Sequence, residues 1–424
     1  TLAAPVKKPN RRDFQTDTLL DKPRDYMASH PWISFRLDLK PAAWEFWNHI
    51  GEAHSKCRHL ARTPLAPSMA RDMEQVYLAK GARASAAIEG NSLNEEQAVA
   101  AVEGKLEVPE SQEYLKQELD NVIEALADIE KQVHQTGSFD LSPESLSELN
   151  RKVLDGLELE DHVVPGEFRT QGIIVGTVYR GAPPQDCDYL VQAMCDWLNG
   201  PDFSRDGGDH AKDFLFAILK AVIAHVYIAW IHPFGDGNGR TARLVEFGIL
   251  AAAGVPSVAA HLLSNHYNET RTNYYRQLEN ASKSGGDLNP LLAYAAKGFV
   301  DQLQQQLTSV HDWILQATWT NYVHSLFTDP TATAKRQRDL VLALPSDDFI
   351  PRAKLTALTP GLAEAYATKK SKTVTRDLNA LGQMGLIERG PNGIRARREI
   401  MLSFMPRVAP GSENDREDLF PAVA

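Results

Sequence analysis

From Pro41 onward, apolar residues recur at spacings of three and four, the period of a helix with one buried face. "ELDNVIEALADIEKQV" (118–133) and "SPESLSELNRKVLDGL" (142–157) show it clearly. In the second stretch Ser142 stands at a cap and Pro143 at the first helical position, which predicts a helix start there. One segment departs from the pattern. "GEFRTQGIIVGTVYRGAPP", Gly166 to Pro184, is β-rich and bounded by Gly and Pro, and reads as a hairpin. Helical periodicity resumes from "DYLVQAMCDWLNG" and runs through "PLLAYAAKGFVDQLQQQLTSV", ending near 310, with no internal repeat. Beyond 330 the reading is "AKRQRDLVLALP", "RAKLTAL" and "SKTVTRDLNALGQ" as three helices, then two short strands. Residues 1–40, polar and rich in Pro and Arg, read as an arm, and 403–424 as a disordered tail.

Length and composition add little to this. A chain of 424 residues, 43% hydrophobic, is enough for two or three domains. The net charge of −10 argues against a protein that coats nucleic acid over its whole surface. The charge is uneven, however: Thr331 to Ile400 holds 13 Lys/Arg against 7 Asp/Glu, leaving that piece basic and the remainder strongly acidic. Cys57, Cys187 and Cys195 have no metal-ligand spacing and read as structural thiols in a reducing, cytoplasmic setting. The longest apolar run, "FLFAILKAVIAHVYIAWI" (214–231), has the length of a membrane span. Lys220 and His225 interrupt it, so it reads as a core helix and no membrane partner is expected.

That run ends in "IHPFGDGNGRTAR", Ile231 to Arg243. Pro233 disfavours helix in the residue before it, so the helix should stop near His232. A second helix should start near Thr241. The glycines between let the backbone turn tightly and approach a ligand. Free amides at the second helix's N-terminus favour an anion. Arg240 and Arg243 stand where the dipole disfavours cations, which makes sense if a highly charged anion lies in front. Asp236 beside a phosphate site asks for a cation between them, and Mg²⁺ is the usual one. His232, with an ordinary pKa near 6.5, suits a general base. No GK[ST] and no strand–helix alternation is present, so this is neither a Walker loop nor a dinucleotide fingerprint.

His232 to Arg243 resembles the signature of the Fic family at every defining position, and the likeness extends over roughly residues 60–310. The resemblance implies transfer of AMP from ATP to a Ser, Thr or Tyr hydroxyl of a target protein. His232 would take the hydroxyl proton and Asp236 would hold Mg²⁺. The Gly237, Asn238 and Gly239 amides would cradle phosphates, with Arg240 and Arg243 further out and Phe234 anchoring the loop. Ser85-x-x-x-Glu89-Gly90-Asn91, on a helix near 72–90, resembles the inhibitory motif of many Fic proteins. It implies that Glu89 pairs with Arg243 and blocks the productive γ-phosphate position. The hairpin is similar to the family's flap, with Val175, Gly176, Thr177 and Val178 over the nucleotide. Tyr274 and Tyr275 resemble a tyrosine pair lining the adenine pocket. His225, on the same helical face as His232, reads as a hydrogen-bonded core residue.

The basic C-terminal piece resembles a winged helix. Its recognition helix would start at Ser371 or Lys372, bury Val374, Leu378 and Leu381, and expose Lys372, Thr375, Arg376 and Asn379; "GLIERGPNGIRA" would form the wing. DNA or protein is left open as its partner, with Asp377 and Glu388 interleaved among the basic residues. The expected architecture is therefore mainly α. An arm (1–40) precedes a Fic-type helical catalytic domain (41–310) with a β-hairpin flap, and a winged helix-turn-helix domain (331–402) follows. The expected activity is an auto-inhibited protein adenylyltransferase, with self-modification and a homodimer both allowed. Two alternatives stand beside it: removal of AMP at the same site, and a nucleotide-sensing transcription regulator.

Overall fold

A computed structural model of the chain describes residues 23–176, 179–203 and 210–404. The described residues are mainly α-helical, with two separate two-stranded antiparallel hairpins. The helices are α1 Asp25–Ser29, α2 Trp44–Arg62, α3 Pro67–Ile88, α4 Glu95–Val102, α5 Glu113–Thr136 and α6 Pro143–Val153. After strands β1 Ile174–Val175 and β2 Tyr179–Arg180 come α7 Cys187–Leu198, α8 His210–Ile231, α9 Asn238–Ala252, α10 Ser257–Ala260, α11 Leu262–Glu269, α12 Arg271–Lys283 and α13 Asn289–Leu326. The C-terminal piece adds α14 Ala332–Ala343, α15 Pro360–Tyr366, α16 Ser371–Gln383, β3 Ile387–Gly390 and β4 Gly393–Ala396.

By internal packing the chain forms two units, and the division is not the linear one expected. The first holds described residues 23–43, 79–254 and 267–294. Its centre is α8, which is long and apolar enough to cross a membrane but has 78% of its most apolar stretch buried inside the chain. A helix apolar on all sides needs cover on all sides. Accordingly α8 packs on α7 and α9, and α9 packs in turn on α5 and α6. α6 starts where the sequence predicts: the Ser142 hydroxyl accepts from Ser145 N, Ser145 reaches back to Ser142 N, and Pro143 follows the cap. α5 stops at Gly137, whose φ of 69° is the left-handed cap conformation.

Residues 25–35 are not a free arm. The Tyr26 amide donates to Asp186 Oδ2 at 2.8 Å, the Phe35 amide donates to the Tyr227 hydroxyl, and Ile33 is 3% exposed. Two apolar anchors in a polar stretch were enough to dock it. Residues 1–22 of the expected arm, and 405–424 of the expected tail, lie outside the described residues.

The second unit holds 44–78, 255–266 and, among the described residues, 295–404. No break falls at 310, because α13 continues to Leu326. Trp319 and Val323 of that helix join Leu340, Leu355, Leu378 and Leu381 in one apolar cluster. The "RAKLTAL" stretch is a 3₁₀ turn, Arg352–Ala357, and the second helix of this piece lies later, with Thr359 as its cap. α16 begins at Ser371 as expected. β3 and β4 pair in register from Ile387↔Ala396 to Gly390↔Gly393. All three cysteines are free and buried, and burial pushes Cys57 up to about 12, Cys187 to about 11 and Cys195 to about 12.

Candidate active site

α8 ends at Ile231, and His232 turns the chain with φ of 51°. That conformation is uncommon for a residue with a Cβ. Its amide still closes the helix onto the Ile228 carbonyl at 2.8 Å. Phe234 then plunges inward, fully buried, its ring centroid 5.3 Å from that of Phe168. The Asn238 side chain brackets the Phe234 backbone from both sides, accepting from its amide and donating to its carbonyl, each at 2.9 Å. Asn238 is thus a brace for the loop. Gly237 has φ of 76°, and a Cβ there would meet Asn150 Nδ2 at 2.9 Å. This left-handed glycine lets α9 begin at Asn238, three residues before the expected start.

Asn150, fully buried on α6, fixes the loop from outside. Its Nδ2 donates to the Asp236 carbonyl and its Oδ1 accepts from Gly166 N, both at 2.9 Å. Sequence reasoning passed over Asn150, and likewise Arg169, whose Nε donates to the His232 carbonyl at 2.7 Å.

The result is a helix N-terminus open to an anion, with a histidine at its mouth. Burial lowers the His232 pKa to about 4; the Arg169 charge adds to this, while the Ala229 carbonyl, Glu89 and Asp236 oppose it. Its Nδ1 is buried without a well-formed hydrogen bond. The imidazole is therefore neutral at ordinary pH and able to accept a proton. Asp236 has a half-exposed side chain; Oδ1 accepts from Gly237 N at 2.6 Å and Oδ2 from Arg240 Nη2 at 3.2 Å. Among the described residues no cluster of three or more His, Cys, Asp or Glu is arranged to hold a metal. A single half-exposed carboxylate still fits Mg²⁺, which keeps most of its ligands as water and substrate phosphate.

Both arginines are buried and engaged. Arg240 Nη1 donates to Glu118 Oε1 at 2.8 Å, and Glu118 also accepts from the Asn91 side chain. Arg243 donates from Nε to the Ser85 hydroxyl and from Nη2 to the Ser85 carbonyl, each at 2.9 Å, and from Nη2 to Glu89 Oε1 at 2.7 Å. Glu89 follows the C-terminal end of α3, whose last carbonyls are capped by Arg271. Glu89 Oε1 lies so close over the loop that a Cβ on Gly239 would fall 2.1 Å from it. A carboxylate thus occupies the start of α9, where the loop is shaped for an anion. Burial alone would raise the Glu89 pKa, but Arg243, then Arg240 and His232, outweigh it and hold it below the usual value.

The remaining expected residues are placed less uniformly. Val175 and Gly176 stand at the tip of the hairpin, Val175 opposite Tyr179 and Gly176 with φ of 60°; Thr177 and Val178 lie outside the described residues. Tyr179 pins the second strand to the end of α8 through its hydroxyl, 2.7 Å from the Trp230 carbonyl. Tyr274 is an interior residue, not an open ring: its hydroxyl meets His225 Nε2 at 2.8 Å and its ring stacks on Tyr267. His225 is a hydrogen-bonded core residue, with Nδ1 on Glu246. Tyr275 is 45% exposed and donates to the Ile88 carbonyl, next to Glu89.

Residues 140–250 match the model of the Fic/DOC family, and all of the loop from His232 to Arg243 lies within them. Over that stretch the chain is similar to a Fic domain. It is 29% identical over 258 residues to "Protein adenylyltransferase fic-1" of Caenorhabditis briggsae, covering 61% of this chain and 46% of that protein. It is 32% identical over 216 residues to "Protein adenylyltransferase Fic" of Nematostella vectensis, covering 50% of this chain and 45% of that protein. The chain thus spans about half the length of the curated relatives it matches. A solved Fic family protein from Desulfovibrio desulfuricans G20 shares the fold, with a TM-score of 0.53 at 22% identity over 85% of this chain and 97% of that one. Ser85, Glu89, Tyr274 and Tyr275 lie outside the residues that match the Fic family model.

Proposed function

We propose that the chain transfers AMP from ATP to a hydroxyl side chain of a protein, and that Glu89 holds it at low activity. One juxtaposition carries this reading: a neutral His232 beside the N-terminus of α9, where Glu89 now occupies Arg243. The names of the Caenorhabditis and Nematostella relatives support it. The target hydroxyl gives its proton to the His232 imidazole. Its oxygen forms a bond to the α-phosphorus, and the α–β bridging P–O bond breaks to release pyrophosphate. The α9 amides and the two arginines stabilise charge on the phosphates. Asp236 would hold Mg²⁺, which when bound offsets phosphate charge. Glu89, lying on Arg243 and against Gly239, excludes an anion from that place.

The test is self-labelling with α-labelled ATP and Mg²⁺. Glu89→Gly should label above the unmodified chain by roughly 5–150-fold, the usual range for coupled sites. Glu89→Gly/His232→Ala should not label. No label on any of the three, with nucleotide binding intact, would sink transfer from ATP and move weight to another nucleotide donor, removal of AMP or nucleotide sensing.

For the C-terminal piece we propose a winged helix that contacts DNA phosphates. Lys372, Arg376 and Asn379 are exposed on α16, and Arg389 of the hairpin donates to Asn379 Oδ1 at 2.7 Å. Asp377, expected among them, is 2% exposed and withdrawn from that face. Duplex binding whose affinity falls with salt and with Lys372→Ala/Arg376→Ala supports the reading; binding that is absent at low salt overturns it.

A further inference from the structure

We propose that Arg169 is the positioning residue for His232: its guanidinium ties the His232 backbone to the hairpin and so aims the imidazole. The inference rests on the reading of His232 as the base. Arg169 is 6% exposed. Nε donates to the His232 carbonyl and Nη1 to the Gln171 carbonyl, both at 2.7 Å. Nη2 donates to the Ala182 carbonyl and, at 3.3 Å, to the Ile231 carbonyl. The Arg169 amide adds a bond to the Pro233 carbonyl at 2.9 Å. One side chain thus joins the start of the hairpin, its far end, the last residue of α8 and the loop.

Two features say that this is more than packing. A buried cation is ordinarily matched by a carboxylate; among the described residues Arg169 has none, and its donors all go to neutral carbonyls. Also, a residue with a Cβ persists at positive φ only where its surroundings over-determine it. His232 at 51° is gripped through its amide by Ile228 and through its carbonyl by Arg169. Gly181 leaves room for both: a Cβ there would stand 2.8 Å from Arg169 Nη2 and 3.0 Å from His232 Cβ. Three donors at fixed angles are a guanidinium property, and lysine keeps the charge without the fork. The charge has its own effect. Arg169 opposes protonation of His232, while Glu89 and Asp236 favour it.

The experiment places Arg169→Lys and Arg169→Gln in the full chain carrying Glu89→Gly. Positioning predicts that Arg169→Lys loses on the order of 10²-fold in kcat, the cost of about an ångström of misplacement, with KM for ATP and nucleotide binding unchanged. The His232 ring is followed by NMR titration in the same proteins. Its midpoint should rise in Arg169→Gln and stay low in Arg169→Lys. Unchanged kcat in Arg169→Lys, or a loss that merely tracks ATP binding or the folded fraction, overturns the proposal. If Glu89→Gly itself transfers no label, the function has failed, and the titration decides positioning alone: a His232 midpoint and ring shifts that do not respond to either variant overturn it. Should Arg169→Gln not fold, the ring shifts of Arg169→Lys decide positioning by themselves: a displaced ring supports it and an unmoved ring overturns it.

Discussion

Arg243 and Arg336 are both buried against carboxylates, yet the two pairs are built differently. Arg336 meets Asp377 with two parallel bonds, Nε to Oδ2 at 2.8 Å and Nη2 to Oδ1 at 3.2 Å. Gln337 and the Tyr366 hydroxyl fill the remaining acceptor sites, and the carboxylate side chain is 2% exposed. Arg243 spends one bond on Glu89, whose side chain is 35% exposed and whose second oxygen accepts no hydrogen bond among the described residues. The Asp377 pair is saturated and has nothing left to exchange. The Glu89 pair leaves one carboxylate oxygen free at a helix N-terminus, the place where, on the function proposed, a phosphate would replace it. The same pair of charges at similar distance gives a fixed strut in one place and, on the function proposed, a displaceable latch in the other.

The largest effect should come from the strut. Asp377→Ala leaves Arg336 buried and unpaired and should cost about 3–5 kcal/mol in denaturant unfolding. Glu89→Gly also removes the partner of a buried arginine, but Arg243 keeps its two bonds to Ser85, so the loss should be smaller than for Asp377→Ala. Equal losses would erase the distinction. Next, the activity gained by opening the latch must run through His232: in the Glu89→Gly background, His232→Ala should lower labelling by about 10²–10⁴-fold while ATP still binds.

The pH dependence follows from the lowered His232 pKa. In the unmodified chain the base form is present above about 4, and loss of Glu89 removes one group that favours protonation, so kcat/KM of Glu89→Gly should fall only as pH drops to that region or below it. An inflection near 6.5 would show an unperturbed, solvated imidazole. The same shift acts on stability. Between about 4 and the unfolded value the unfolded chain binds the extra proton, so the contribution is full above that window and is lost as pH falls through it. The smallest effect is at Ser85. Ser85→Ala removes one neutral acceptor from Arg243, worth about 0.5–1.5 kcal/mol, and should raise labelling between about twofold and tenfold. Unchanged labelling would make Glu89 the whole latch.

The latch was legible in the sequence because each half is contiguous: His232 to Arg243 in one stretch, Ser85 to Glu89 in another. The supports were not. Arg169 lies 63 residues from His232, Asn150 lies 86 from Asp236, and Glu118 lies 122 from Arg240. Contacts at such separation leave no periodicity and no local motif, and a lone Arg or Asn in a loop or on a helix reads as solvated. Helix existence followed from apolar spacing, whereas boundaries failed where one backbone angle decides them. The left-handed Gly237 moved the start of α9, and nothing in 311–326 told that α13 would run on. Tyr26 and Ile33 docked a stretch whose average composition reads as an arm.

On the function proposed, Glu89 is a ligand tethered to its own receptor. A group held on a short connection competes at an effective concentration in the millimolar range or above, set by the tether and not by the cell. The resting state would then be a titration between that fixed internal concentration and free ATP. The last turn of α3, capped by Arg271 and Tyr275, sets the rigidity of the tether. A partner that loosens this turn would dilute the internal competitor without touching Arg243, and would read out as a lower apparent KM for ATP.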